Sequence, residues 1–346
     1  MSQINVTKIN HESGAGDNII LSADGDTQIN SLNGSALGGF RNQLINGDFR
    51  VWQRGTSVVY GSANGGYTAD RWAGASDTTT SQRVKYGNIP VAEVLGNKYM
   101  LQGVELYIDP FSNTVNTQFV VGSTWTLSYY ATKAPDGAIS NIAEFRDAAT
   151  NGTSSTNPVV IATISTPTAT GKTLGSGNEL VQYSTTFTVT GTPAATNRSA
   201  VFHITGNSND VDFAYAQLEP GSVATPFEHR PMATELAMCQ RYYWTSTSGN
   251  SLDGSANTAS NNMLTPQTPN TSSGVFEAAR VPFPVVMRSQ PTCTYLSTSG
   301  ASNKLYVHPV GDTDVRFSKP QTNFVSVTTF GAGTYITGIV ITDAEL

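Results

Sequence analysis

Apolar and polar positions alternate with a period of two through most of this chain, and helical periodicity is confined to one short stretch. In WTLSYYA (125–131), Trp125, Leu127 and Tyr129 share one face while Thr126, Ser128 and Tyr130 share the other, which predicts a half-buried strand. LVQYSTTFTVTG (180–191) and SAVFHITG (199–206) carry β-branched and aromatic residues in the same way. Polar, glycine-rich segments separate these runs, and the Asn-Gly pairs at Asn33, Asn46 and Asn151 supply positive φ for tight turns. The pattern predicts an all-β, antiparallel protein.

The exception is PMATELAMCQRYYW (231–244), read as a short linking helix. Pro231 suits a first helical turn, Glu235 lies near the positive end of the helix dipole, and Leu236, Cys239, Gln240 and Tyr243 fall on one face. Beyond a polar, low-complexity stretch at 245–274, strand patterns resume in VPFPVVMRSQPTCTYL, NKLYVHPV, TNFVSVTTF and TYITGIVITDAEL, predicting a second, smaller β sandwich over 245–346. The first 41 residues differ from both regions. INVTKI and NIILSADGDTQI are short strand patterns with too little apolar surface for a core of their own, and they read as an attachment arm that pairs with other copies or docks on a larger particle.

Composition narrows the function classes. Charged residues make up 13% of the 346 and the net charge is −6, with no Lys/Arg cluster, so nucleic acid is not an expected partner. Four scattered histidines and two cysteines, Cys239 and Cys293, lack metal-ligand spacing, and the cysteines read as two buried thiols rather than a disulfide. MSQINVTKIN lacks the basic start and apolar core of a signal peptide, and no run approaches the roughly 18 apolar residues of a membrane span, so neither export nor membrane insertion is expected. A composition typical of extracellular adhesive proteins, without an export signal, points to a virion component released by lysis. There is no GxSxG elbow, phosphate loop or paired-carboxylate motif, and the chain reads as a non-enzyme without a cofactor.

LINGDFRVWQRGTS (44–57) with YTADRW (67–72), followed by AQLEPGSVATPFEHRP (216–231) and ELAMCQRYY (235–243), resembles a family of phage tail fibre and tail-associated receptor-binding proteins. VPFPVVMRSQPT and the closing DAEL also look like the ending of such chains. The resemblance covers residues 42–346, and its central part looks like the jelly roll of carbohydrate-binding modules. It implies an attachment arm (1–41), a jelly-roll domain (42–230), the linking helix (231–244) and a terminal β sandwich (245–346). It further implies a homotrimer in the phage tail, with the arm held by another tail protein and a host surface glycan or other receptor bound elsewhere. A non-adhesive decoration or adaptor protein and a polysaccharide depolymerase are the alternatives.

Under this resemblance, residues 216–231 form a joint. Glu219 to Gly221 end the last jelly-roll strand, Phe227 folds back as an apolar plug, and Glu228 and Arg230 are spaced for a local ion pair. A competing reading makes Glu219, Glu228 and His229 an acid–base group, although neighbours on an extended chain cannot all face one substrate. Leu236, Cys239, Tyr243, Val285, Ile339 and Ile341 are candidates for threefold packing. Tyr60, Tyr67, Tyr99 and Tyr107, in loop-rich stretches, are candidates for stacking on sugar rings. Asp48 and Asp70, with Asp212, make an incomplete calcium set, so no metal is assigned, and the two aspartates are expected to pair with Arg50, Arg54 and Arg71 around buried Trp52 and Trp72.

Overall fold

A computed structural model describes residues 41–54, 69–72, 120–131, 167–174, 180–191, 214–246, 280–297, 301–308, 310–315, 320–327 and 338–344 in full, with Ala162 and Ser318, and elsewhere the backbone of the strands given below. The protein is all-β with one short helix, and every described strand pair is antiparallel. Among the described residues the arm contributes a three-stranded meander of Lys8–Ile9, Ile19–Leu21 and Thr27–Ile29. Two larger sheets follow. One runs in the order Thr168–Leu174, Leu180–Thr188, Thr124–Thr132, Asp212–Pro220, Tyr99–Gln102, Thr80–Lys85, Ser57–Val59. The other runs Val159–Ala162, Asn141–Arg146, Ser199–Thr205, Glu105–Ile108, Trp72–Gly74, Gly66–Tyr67.

The alternation read in WTLSYYA holds in the Thr124–Thr132 strand, where Trp125, Leu127 and Tyr129 are all buried. Its second face departs from the half-buried expectation, because Thr126 and Ser128 are buried as well. The cause lies in the neighbouring strand. Thr126 pairs with Glu219 and Ser128 with Gln217, and the chain leaving Asp212–Pro220 folds back over this polar row. A bulge interrupts the same strand pair between Ser128 and Tyr130, where Tyr215 takes a positive φ of 50°.

The helix spans Met232–Gln240, shorter than the periodicity predicts at both ends. Pro231 stands just before it as the cap residue, and Tyr243 leaves the helical face to begin the strand Tyr243–Thr245. The aromatic run YYWT is better suited to a pleated edge, and it finds one by pairing with Ile339–Asp343. This strand, Ile339–Asp343 and Thr292–Leu296 form a three-stranded sheet. A six-stranded sheet lies alongside in the order Met263–Leu264, Tyr335–Thr337, Lys304–His308, Gly311–Pro320, Phe324–Thr329, Phe276–Pro282. Val281, Phe283, Met287, Tyr295, Leu305, Val307, Val325, Val327 and Val340 make its core, and Trp244 packs against it. The sequence boundary at 245 therefore runs through a strand. Apart from Met263–Leu264, most of the low-complexity stretch lies outside the described residues.

Candidate functional site

The densest cluster of buried polar groups among the described residues lies where three segments meet: residues 41–54, residues 216–235, and the turn at 69–72. Its geometry begins with backbone that side chains dislike. Asn46, Phe49, Arg71 and Tyr215 have positive φ, four of the five such non-glycine residues described. Asn46 tolerates this conformation best and also holds the turn, since its amide nitrogen donates to the Val51 and Asp70 carbonyls at 2.9 Å each while its oxygen accepts from the Val51 amide at 3.0 Å. Gly47 is required beside it, because a β-carbon there would collide with the Ala216 carbonyl oxygen.

Residues 42–47 lie along the strand Asp212–Pro220. Gln43 N donates to the Leu218 carbonyl and Ala216 N to the Gly47 carbonyl, both at 2.8 Å. Asn42 locks the register, with its side-chain oxygen accepting from Leu44 N and Leu218 N and its side-chain nitrogen donating to the Ala216 carbonyl.

From Gly221 the chain returns over its own strand. The Glu219 carboxylate accepts from Thr225 N at 2.8 Å, from the Thr225 hydroxyl at 2.6 Å and from Gln217 Nε2 at 2.9 Å. Gln217 Oε1 accepts from Glu228 N at 2.8 Å. The Glu228 carboxylate in turn accepts from Arg41 N and Asn42 N. Phe227 packs on Tyr215 with ring centroids 4.9 Å apart, and His229 sits edge-on to both rings. Burial and the Arg50 charge hold the His229 imidazole below its usual range.

Arg230 is the centre of the cluster. Its guanidinium donates to the Leu44 carbonyl at 3.1 Å and to the Asn42 carbonyl, and it pairs with Glu235 at 3.3 Å and with Glu228 at 3.6 Å. Glu235, which sequence reading treats as a dipole partner on the helix, is buried and accepts from Asn46 N. Asp48 pairs with Arg50, whose other nitrogen donates to the Arg230 carbonyl at 2.9 Å. Burial and the nearby Glu235 charge push the Asp48 carboxyl up to about 6, against the opposing pull of Arg50.

The same segment reaches the C-terminal sheets. Arg54 pairs at 3.6 Å with both Asp70 and Asp343 and lies 3.7 Å over the Tyr243 ring. Arg71 lies over the Tyr242 ring at 3.7 Å. Gln53 Nε2 donates to the Tyr243 carbonyl, and Ile45, Val51, Cys239 and Tyr242 close an apolar cluster beneath.

Glu219, Phe227, Glu228 and Arg230 are thus brought together at the joint, where the two glutamates accept from different internal donors. Of the threefold-packing candidates, Cys239, Tyr243 and Ile339 are buried within their own chain. Leu236 packs partly against the Cys239 cluster, and Val285 and Ile341 are half-buried. Neither cysteine is in a disulfide; Cys239 is buried and Cys293 only partly so.

The sugar-stacking candidates divide. Tyr60 lies outside the described residues, while Tyr67, Tyr99 and Tyr107 stand in strands rather than in the loops expected. Tyr99 pairs with Lys85 in the seven-stranded sheet. Tyr67 and Tyr107 are brought into one register line of the six-stranded sheet, Tyr67–Ala73–Tyr107–His203. Residues missed at the joint are Asn42, Gln217 and Thr225, which carry no signal in the sequence beyond being polar.

No protein-family model and no curated protein matches the chain. Among solved structures, the CBM22-1–GH10 modules of the N-terminal endo-1,4-beta-D-xylanase 10B of Clostridium thermocellum, complexed with xylohexaose, are similar over 51% of this chain. The identity is 13%, the TM-score is 0.26, and the chain covers 30% of that structure.

Proposed function

We propose that this chain is a phage tail fibre protein, a structural component of the virion that is attached through residues 1–41 and binds a host surface glycan. Two observations support the reading. The ordered motifs at 44–57, 67–72, 216–231 and 235–243 are those of the tail fibre resemblance, and the residues of the third are committed to fold contacts. The observation that carries the glycan part is the Tyr67–Ala73–Tyr107–His203 line. Two tyrosines on one register line suit the flat, apolar faces of successive pyranose rings.

Fluorescently labelled full-length protein is expected to coat the surface of susceptible bacteria, and light scattering is expected to give three chains per particle. Coating that persists after enzymatic removal of surface polysaccharide would redirect the reading to a protein receptor. A monomer that coats no strain would support a decoration or adaptor role in its place.

A further inference from the structure

We propose that Gln217 and Thr225 become joined by an ester bond that the protein forms itself, with the Glu219 carboxylate as the base and ammonia as the leaving group. This stands independently of the tail fibre reading. The three side chains meet where the chain returns over its own strand, and all are buried, Gln217 and Glu219 at 0% exposure and Thr225 at 2%. Glu219 accepts from Thr225 and Gln217 and has no ion pair among the described residues. A carboxylate kept wholly from water without a cation is costly, and a turn that needed only hydrogen bonds could use an amide in its place.

Each group is placed for one step of acyl transfer. The Thr225 hydroxyl donates to Glu219 Oε2 at 2.6 Å, so its proton already lies toward a base. Gln217 Nε2 lies 3.2 Å from the same hydroxyl oxygen, and the amide carbon is one covalent bond from that nitrogen. Rotation about Cγ–Cδ, a soft torsion, turns the face of the amide toward the hydroxyl. Gln217 Oε1 accepts from Glu228 N at 2.8 Å, a donor that polarises the carbonyl and stabilises the charge that develops on its oxygen. Nε2 donates to Glu219 Oε1 at 2.9 Å, on the carboxyl that receives the hydroxyl proton.

Thr225 Oγ1 bonds to Gln217 Cδ as its proton passes to Glu219. From the tetrahedral intermediate that proton goes on to Nε2, the C–N bond breaks, and ammonia leaves. Glu219 returns to its starting state, and no second reactant enters. Escape of ammonia as ammonium draws the exchange of amide for ester forward, and burial keeps water from reopening the product. The result is a covalent loop from 217 to 225 that fastens the returning segment to its strand.

Mass spectrometry of the full-length protein, incubated at neutral pH and digested with trypsin, reads the bond directly. Arg230 precedes Pro231 and resists cleavage, so Gln217 and Thr225 fall in one peptide, 199–241. That peptide is expected to be lighter by one ammonia, about 17 Da, and to give no fragment ions from backbone cleavage between 217 and 225. Hydroxylamine should open the ester and leave a hydroxamate at position 217. Thr225→Val and Glu219→Gln should each restore the full mass. Asn207 and Asn209 share the peptide and can lose ammonia as succinimides, but such a loss would survive in Thr225→Val. A wild-type peptide at its full mass overturns the proposal, as does a loss that is undiminished in Thr225→Val or in Glu219→Gln. Should either variant fail to fold, a wild-type hydroxamate anywhere but at 217 overturns it.

Discussion

Arg230→Ala is expected to destabilise the protein by about 3–5 kcal/mol, the range found when one partner of a buried ion pair is removed. The guanidinium is buried and serves four acceptors at once: the Asn42 and Leu44 carbonyls and the Glu228 and Glu235 carboxylates. Alanine would leave Glu235 as a buried charge without its cation and strip two backbone carbonyls of a donor in a place that water does not reach. Arg230→Lys should recover part of the loss, because an ammonium restores the charge but cannot reproduce the planar fork that spans two carbonyls and a carboxylate. Urea unfolding at pH 7, followed by tryptophan fluorescence, measures both. A loss below about 1 kcal/mol for the alanine variant would mean that the network does not hold the joint.

A comparable effect is expected from Trp72→Ala, at about 3–5 kcal/mol. The Trp72 ring is fully buried and meets Phe49 edge-on at 4.8 Å. Its indole nitrogen donates to the Ile45 and Asn46 carbonyls at 3.2 and 3.0 Å, so it supports the turn that carries Gly47, Asp48 and the positive-φ Phe49. Truncation leaves a large cavity and two carbonyls without a donor. Trp72→Phe keeps most of the apolar volume and loses only the donor, so it should cost about 1–2 kcal/mol. Equal losses in the two variants would show that the hydrogen bonds, not the ring's packing, dominate.

Much of the fold was legible in the sequence because period-2 alternation survives wherever one face of a strand is buried, as Trp125, Leu127 and Tyr129 are. The helix was legible in type but not in extent. Helical spacing continues to Tyr243, and only the available partner Ile339–Asp343 makes strand the better conformation there. Burial of Thr126, Ser128, Gln217 and Glu219 was not legible, because their polar character predicts a solvated face, whereas the returning segment at 221–230 supplies hydrogen bonds to Thr126, Gln217 and Glu219.

The joint itself shows both limits. The nearness of Glu228 and Glu235 to Arg230 can be read from their spacing, whereas the bonds from Arg230 to the Asn42 and Leu44 carbonyls join residues more than 180 apart. The burial of Cys239 and Ile339 within their own chain was not legible for a related reason. An apolar helical face says that a partner exists, but here the partner is the chain's own Ile45 and Val51 for Cys239, while Ile339 is buried among the C-terminal strands. The acids of the 216–231 motif therefore belong to a structural account, and the proposed glycan recognition is a separate matter for the sheet that carries Tyr67 and Tyr107.

The measurement that tests this division most directly is binding of the labelled full-length protein to an array of bacterial surface glycans, wild type beside Tyr107→Ala. The wild type is expected to bind a restricted set of glycans and Tyr107→Ala to lose about tenfold or more in affinity, the stacking of one ring being worth on the order of 1–2 kcal/mol. Wild-type protein that binds no glycan, or a Tyr107→Ala variant that binds as tightly as the wild type, would contradict it.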